Sequence, residues 1–428
     1  MTSKFIIEGG VPLSGEITPS GNKNAALPLL SASLLTAEPL ILKNIPLIGD
    51  VYSLRSLLES IGVEVTELER NVWKLQAKKI NSSYLDDEIC QTIRASILLA
   101  GPMLARHGEV FLPPPGGDVI GRRRLDTHIV ALEALGASIH YDAAYKRIAF
   151  KADKLVGADI LLDEASVTAT ENVIMASVMA SGNTVIRNAA SEPHIQELCI
   201  MLNNMGAKIS HIGSNLLHIE GVSNLHGTEF TVGADYMEVV SLIGAAIVTH
   251  GSIRIKNASA HYLPMVKMVF NRLGVEWQNI EDDIFVPQEQ KLIIEQDLGN
   301  AVPEVSVMPW PAFPTDLMSI AIVVATQSSG NVLFHDWMYP SRMFFTDKLV
   351  SMGAQIVLCD PHRCIVHGAA QLFGSKLESP DIRAGMALVL AALAAKGTSE
   401  IKNIIQIERG YEKIDQKLKI LGANIIRV

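Results

Sequence analysis

A chain of 428 residues is too long for one ordinary core, and at about 100–200 residues per domain two or three domains are expected. Hydrophobic residues at 48% against 19% charged exclude a disordered chain. A net charge of −9 argues against nucleic-acid or anionic-membrane partners, which need a broad basic field, so any cationic site has to be local.

The opening MTSKFIIEGGV has no cationic stretch leading into a long apolar run, so no signal peptide is expected and the protein reads as cytoplasmic. Six segments rich in Ala, Leu, Met and Val then follow in order: NAALPLLSASLL from 24, RASILLAGPMLA from 94, NVIMASVMA from 172, EVVSLIGAAIV from 238, DLMSIAIVVA from 316 and IRAGMALVLAALAA from 382. They are apolar on nearly every face, as helices enclosed on all sides should be. The longest apolar runs, Val239 to Val248 and Ala384 to Ala395, fall short of the roughly 20 residues of a membrane span.

After several of these segments a turn leads into a short strand, as in EPLILKN at 38, SGNTVIRN at 181, HGSIRIKN at 250 and KGTSEIKN at 396. A second, amphipathic helix then ends on an apolar residue, a glycine, a small residue and another strand. The six copies are SIGVEV, ALGASI, NMGAKI, RLGVEW, SMGAQI and ILGANI, with Gly62, Gly136, Gly206, Gly274, Gly353 and Gly422 read as left-handed helix caps. A period of roughly 70 residues is too long for an ordinary solenoid, whose units run about 20–50, so six units close more naturally as two groups of three. The fold class is therefore α/β, with two domains of three pseudo-symmetric repeats. The boundary is placed near Gly233, giving 21–233 as one domain and 1–20 with 234–428 as the other, and the first twenty residues are expected to pair with the last repeat.

The openings of the apolar helices carry polar groups: Lys23 and Asn24, Arg94, Ser166 and Thr168, Asp235, Asp316, and Asp381 with Arg383. The loops before the amphipathic helices carry a second set: Asp50, Asp118 with Arg123, Glu192, Arg342 and Arg409. Singly each has a plain structural account: Thr315–Asp316 and Ser166 as helix N-caps, Arg409 with Glu408 as a surface pair. Pseudo-symmetry, however, places matching ends on one face of each domain and predicts their convergence in a cleft, where helix N-termini add further positive potential. Lys23, Arg94, Arg123, Arg342, Arg383 and Arg409 then suit two anionic molecules, or one with several phosphates. The stretch PPPGGDVIGRRRLDTH from 113 sets Asp118 after two glycines on a loop tip and ahead of Arg122, Arg123 and Arg124. Cys90, Cys199, Cys359 and Cys364 have no CxxC spacing and read as buried reduced thiols. No HExxH or Cys/His cluster calls for a metal.

SGNKNAALP at 20, TIRAS at 92, PGGDVIG at 115 with Asp126 and His128, PAFPTD at 311, DIRA at 381 and ERGYEKI at 408 together resemble the UDP-N-acetylglucosamine enolpyruvyl transferases, from Ile7 to the C-terminus. The resemblance implies two inside-out α/β domains of the enolpyruvyl transferase fold. It also implies transfer of the enolpyruvyl group of phosphoenolpyruvate to the 3′-hydroxyl of UDP-N-acetylglucosamine, with no cofactor, metal or obligate protein partner. By the same similarity Asp316 is the base or orienter at the sugar hydroxyl. Lys23, Arg123 and Arg409 hold phosphate, and Arg342 and Arg383 the carboxylate side. Asn24, Arg94, Ser166, Val167, Asp316 and Met338 contact the nucleotide sugar. Within the fold the alternative acceptors are shikimate 3-phosphate or a uridine nucleotide. Outside catalysis the alternative is a UDP-sugar-binding paralogue.

Two departures from the family pattern stand out: Asp118 where most members carry cysteine, and Arg123–Arg124 where they carry Arg-Pro. A carboxyl group can still donate the proton, although neighbouring arginines lower its proton affinity and bound phosphoenolpyruvate raises it. Loss of the thiol implies insensitivity to fosfomycin, which alkylates the family's cysteine.

Overall fold

The computed structural model describes residues 3–117 and 124–428, which separate into two compact units, residues 3–20 with 234–428 and residues 21–117 with 124–233. The apolar segments form helices α1 (Lys23–Ser31), α2 (Ala100–His107), α3 (Val167–Ser177), α4 (Tyr236–Val248), α5 (Met318–Gln327) and α6 (Ile382–Ala394). Every residue of α4 is buried, as are Ile382 to Leu393 of α6. In the unit containing them, α4, α5 and α6 all pack on one another as the centre of a single hydrophobic core. The other unit has its own core, in which α2 packs on α3 and α1 meets the 3₁₀ turn Arg94–Leu99.

The strands on either side of α3, α5 and α6 belong in each case to one sheet and run parallel. Asp159–Leu161 precedes α3 and runs parallel to Asn183–Arg187, which follows it, and parallel neighbours need such a crossover. The second strand then pairs antiparallel with Leu216–Glu220, itself paired with Lys208–Ser210. Glu304–Ser306, Gly330–His335, Arg363–Gly368 and Gln355–Asp360 repeat the pattern around α5. The repeat that contains α2 is reduced to three strands, with a single parallel bridge, Tyr84 to Phe111, in the fourth place.

Distant chain completes three sheets. Glu229–Thr231 lies parallel to Leu40–Lys43 in the first repeat. The N-terminal stretch divides, which corrects the expectation that all of it joins the last repeat. Lys4–Glu8 lies between Thr398–Lys402 and Asn424–Arg427, whereas Ser14–Ile17 runs parallel to Ser252–Ile255 of the fourth repeat. The reason is spacing: a turn at Gly9–Gly10 ends the first strand, and the second has reached a different sheet. The six repeat glycines take φ between 81° and 106°, the left-handed region expected of them.

Where α2 crosses α3 the backbones nearly touch. Gly101 N donates to Asn172 Oδ1 at 2.8 Å, and a Cβ on Gly101 would stand 2.3 Å from the Asn172 backbone oxygen. Gly101→Ala is therefore expected to destabilise the protein by about 1–3 kcal/mol through overpacking, outweighing the gain of about 1 kcal/mol in helix propensity. A lower midpoint in urea is the expected reading.

Candidate active site

In the 21–233 unit, Asn22 caps α1, its Oδ1 accepting from Asn24 N at 2.8 Å and Ala25 N at 3.3 Å. That fixes Lys23 and Asn24 on the first turn. Lys23 Nζ meets Asp50 Oδ2 at 2.6 Å with both side chains about nine-tenths buried, and Asp50 lies in the first turn of the helix Gly49–Ser60, where the dipole favours a carboxylate. Arg94 opens its 3₁₀ turn and donates through Nη2 to the Arg124 carbonyl at 2.9 Å. Ser166 sits at the N-cap position of α3, yet its side chain makes no cap bond, contrary to expectation, so its hydroxyl is not committed to the helix end. Val167 begins that helix.

Thr168 and His128 join a buried chain whose proton positions can be worked out. The Asn172 amide is oriented by accepting from Gly101 N and by donating through Nδ2 to Ile97 O at 2.7 Å. The same Nδ2 lies 2.9 Å from His128 Nδ1, which must then accept, leaving the ring proton on Nε2 to donate to Thr168 Oγ1 at 3.0 Å. Burial, with Arg94 adding to it, pushes the imidazole down to about 3, so His128 is neutral and both its nitrogens are engaged. It orients groups rather than moving protons. Arg124, the described member of the arginine run, donates to Asp126 at 2.9 Å and Asp163 at 3.1 Å, exposed contacts that contribute little to stability. Asp118 and Arg123 lie outside the described residues.

In the other unit, the Thr315–Leu317 turn leads into α5, but neither Thr315 nor Asp316 caps it. Thr315 Oγ1 donates to Asp336 Oδ2 at 2.5 Å. Asp316 instead receives two arginines, Arg342 Nη2 on Oδ1 at 2.5 Å and Arg383 on Oδ2, with Nε and Nη2 both at 3.1 Å. Burial alone would raise the Asp316 carboxyl, but the guanidinium groups of Arg383 and Arg342 outweigh it and hold the group well below the usual carboxylate range.

Arg383 is positioned by α6, whose N-cap Asp381 accepts from Arg383 N at 2.8 Å and Ala384 N at 2.9 Å. Its Nη1 reaches the Tyr411 hydroxyl at 3.4 Å, itself 3.0 Å from Ser241 Oγ on α4. Met338 N donates to Asp336 Oδ1 at 3.1 Å, which places the loop that carries Arg342. Arg409 donates to Gln406 Oε1 at 3.0 Å, while its neighbour Glu408 pairs with Arg427. Asp316, Arg342 and Arg383 are thus brought together, as are Lys23 and Asp50. Among the described residues there is no cluster of three His, Cys, Asp or Glu able to hold a metal, and no helix long and apolar enough to cross a membrane. Cys90, Cys199 and Cys364 are buried, but Cys359 is exposed on its strand, a correction to the expectation for all four.

The sequence profile of the family described as EPSP synthase (3-phosphoshikimate 1-carboxyvinyltransferase) matches residues 7–418. A UDP-N-acetylglucosamine 1-carboxyvinyltransferase of Treponema denticola is 53% identical over 422 residues, covering 99% of this chain and 98% of the relative. The Bradyrhizobium diazoefficiens protein of the same name is 54% identical over 425 residues, with coverage of 99% and 98%, and that of Bacteroides thetaiotaomicron is 48% identical over 433 residues, with both chains covered in full. The chain belongs to the UDP-N-acetylglucosamine 1-carboxyvinyltransferase family. Among solved structures, the enolpyruvyl transferase NikO from Streptomyces tendae superposes with TM-score 0.87 at 21% identity, over 100% of this chain and 99% of that one. EPSP synthase from Acinetobacter baumannii gives TM-score 0.76 at 16% identity, with 100% of each chain covered. At those identities the likeness shows the fold, which is that of the enolpyruvyl transferases.

One feature of this family member escaped the sequence reading. Glu171 lies inside α3, only 2% exposed, and burial, with repulsion from Glu192, pushes its carboxyl well up. Glu192 is itself pushed up to about 7 by burial, against the opposing effect of backbone hydrogen bonds. The available signal was the one acid in the helix VTATENVIMAS, just before its apolar run. A folded-state value above the unfolded one means that the neutral form is favoured by folding, so the Glu192 contribution is complete below about pH 4.5 and is lost as pH rises to about 7. Glu192→Gln should match the parent in stability near pH 4.5 and exceed it at pH 8 by about 1–3 kcal/mol, measured by urea unfolding at the two pH values.

Proposed function

We propose that this chain transfers the enolpyruvyl group of phosphoenolpyruvate to the 3′-hydroxyl of UDP-N-acetylglucosamine, releasing phosphate, as a step of peptidoglycan precursor synthesis. The observation that carries the reading is identity near one half along the full length to three proteins named for this activity. Against shikimate 3-phosphate as acceptor stands the much lower identity, 16%, to the EPSP synthase structure. A non-catalytic binder would have no need of a carboxylate held ionised between two arginines.

The reaction is addition followed by elimination. The sugar oxygen bonds to C2 of phosphoenolpyruvate while C3 takes a proton. C3 then returns a proton, the C2–O bond to phosphate breaks, and the enol ether remains. Atoms and charges balance with one acid and one base and no cofactor. Asp316 is assigned to the sugar hydroxyl. Arg342 and Arg383, already arranged around a carboxylate, are assigned to the carboxylate of phosphoenolpyruvate, a bidentate geometry that arginine favours. Lys23, Arg123 and Arg409 are assigned to phosphate, and Asn24, Arg94, Ser166, Val167 and Met338 to the nucleotide sugar. Asp118 is assigned as proton donor from its place in the PGGD sequence. A cytoplasmic location belongs to the same reading, since both substrates are multiply charged and do not cross a bilayer unaided.

Phosphate release from phosphoenolpyruvate is expected with UDP-N-acetylglucosamine and not with shikimate 3-phosphate or UMP. Release with either of the latter alone would overturn the acceptor assignment. Asp118→Asn should slow release by about 10²–10⁴-fold while leaving nucleotide-sugar binding nearly unchanged, the range expected for loss of one acid–base group. Incubation with fosfomycin and UDP-N-acetylglucosamine should give no covalent adduct by mass spectrometry, and a stable adduct on Asp118 would contradict the expected insensitivity.

A further inference from the structure

Asp235, Asp316 and Asp381 stand at the openings of the three core helices of one unit, and two of them behave alike. Asp235 Oδ1 caps α4 by accepting from Met237 N at 2.9 Å, and Asp381 Oδ1 caps α6 in the same way. Asp316 caps nothing, and both its oxygens are engaged by side chains that approach from other segments, Arg342 from the loop after strand Gly330–His335 and Arg383 from α6. The Nε–Nη2 edge of Arg383 is the edge with which a guanidinium takes a planar carboxylate. Arg342 uses Nη2 on Asp316, and its Nε, buried, has no hydrogen-bond partner among the described residues. The donors around Asp316 are therefore those of an anion seat, with one donor left over.

We propose that Asp316 occupies the carboxylate seat of Arg342 and Arg383, and that the carboxylate of phosphoenolpyruvate takes the seat by exchange, so that Asp316 is released to act on the acceptor hydroxyl only when that anion is present. The proposal rests on the enolpyruvyl-transfer reading above and adds to it an order of events. While both arginines face it, Asp316 has too little proton affinity to serve as a base. Once the arginines turn to another anion, Asp316 loses the charges that hold it ionised and regains proton affinity. The same displacement both seats the substrate and readies the base.

The surrounding charges leave Asp316 as the group that changes. Asp381 influences Arg342, and Asp235 influences Arg383, but one oxygen of each aspartate, Oδ1, is held by two helix N–H groups. Asp336 is held by Thr315 and by the backbone of Met338 and Tyr339. The Tyr339 ring lies under Arg342, 5.3 Å from its guanidinium carbon, and the Tyr411 hydroxyl, pushed up by burial, stays neutral beside Arg383.

Titration calorimetry of the full chain with phosphoenolpyruvate alone, in buffers of different ionisation enthalpy between pH 5 and 7, tests the exchange without turnover. Binding should be accompanied by proton uptake that grows as pH falls. In Asp316→Asn, which keeps the shape and removes the charge, affinity should rise about tenfold, and the part of the proton uptake due to Asp316 should vanish. Affinity unchanged or weakened in a folded Asp316→Asn, or no proton uptake by the parent protein, would overturn the exchange while leaving the transferase reading intact. No binding of phosphoenolpyruvate by either protein would overturn both. The parent protein's proton count does not depend on how the variant folds.

Discussion

Enclosure of an apolar helix by its own repeat is the constraint from which the rest of the structure follows. A helix such as α4, buried along its whole length, satisfies its own backbone except at its ends, and it presents no face to water on which a charge can be placed. Charged residues therefore gather near the openings, with Glu171 inside α3 an exception. At the openings polar residues either cap, as Asn22, Asp235 and Asp381 do, or stand ready for something else, as Lys23, Asp316 and Arg383 do. Around α3, α5 and α6 the parallel pairing of the strands before and after the helix requires the crossover that buries it, and elsewhere distant chain supplies the parallel strand. Repetition then multiplies the openings and, with them, the charged positions.

The charges at those openings are stable because each has its counter-charge. Lys23 with Asp50, and Asp316 with Arg342 and Arg383, are taken out of water together, which avoids the cost of a buried lone ion. In the Asp316 group the two guanidinium groups also hold the carboxyl ionised. His128 shows the opposite arrangement. With no counter-ion and Arg94 nearby it stays neutral, and its two nitrogens hold Thr168 and Asn172 in fixed orientations. His128 thereby fixes side chains on the first turns of α3.

Several parts of this arrangement could be read directly. The six glycines after the amphipathic helices take the left-handed backbone expected of them because that requirement is local, fixed by the residue and its two neighbours. Burial of the apolar helices could be read for a similar reason, since a segment apolar on every face has only one kind of place to go. Ser166 and Thr315 were legible only as residue types. Both are good caps by composition, and neither caps, because Thr315 finds Asp336 twenty-one residues on and that choice is made by tertiary proximity. Glu171 was not legible because a single acid ahead of an apolar run has no local meaning until Glu192 is brought near it.

What the sequence determined by itself was the unit: one enclosed helix, one amphipathic helix, their glycine cap and strands, six times over, with charges at the ends and motifs specific enough to place the chain in its family. What only the tertiary structure decided was partnership. Lys4–Glu8 and Ser14–Ile17 go to different sheets, and Arg342 and Arg383 meet on one carboxylate. A residue's conformational preference acts over a few bonds and is written in its neighbours. A hydrogen bond or ion pair between positions 67 residues apart, such as Arg383 to Asp316, depends on where two segments come to rest and is written nowhere in either of them.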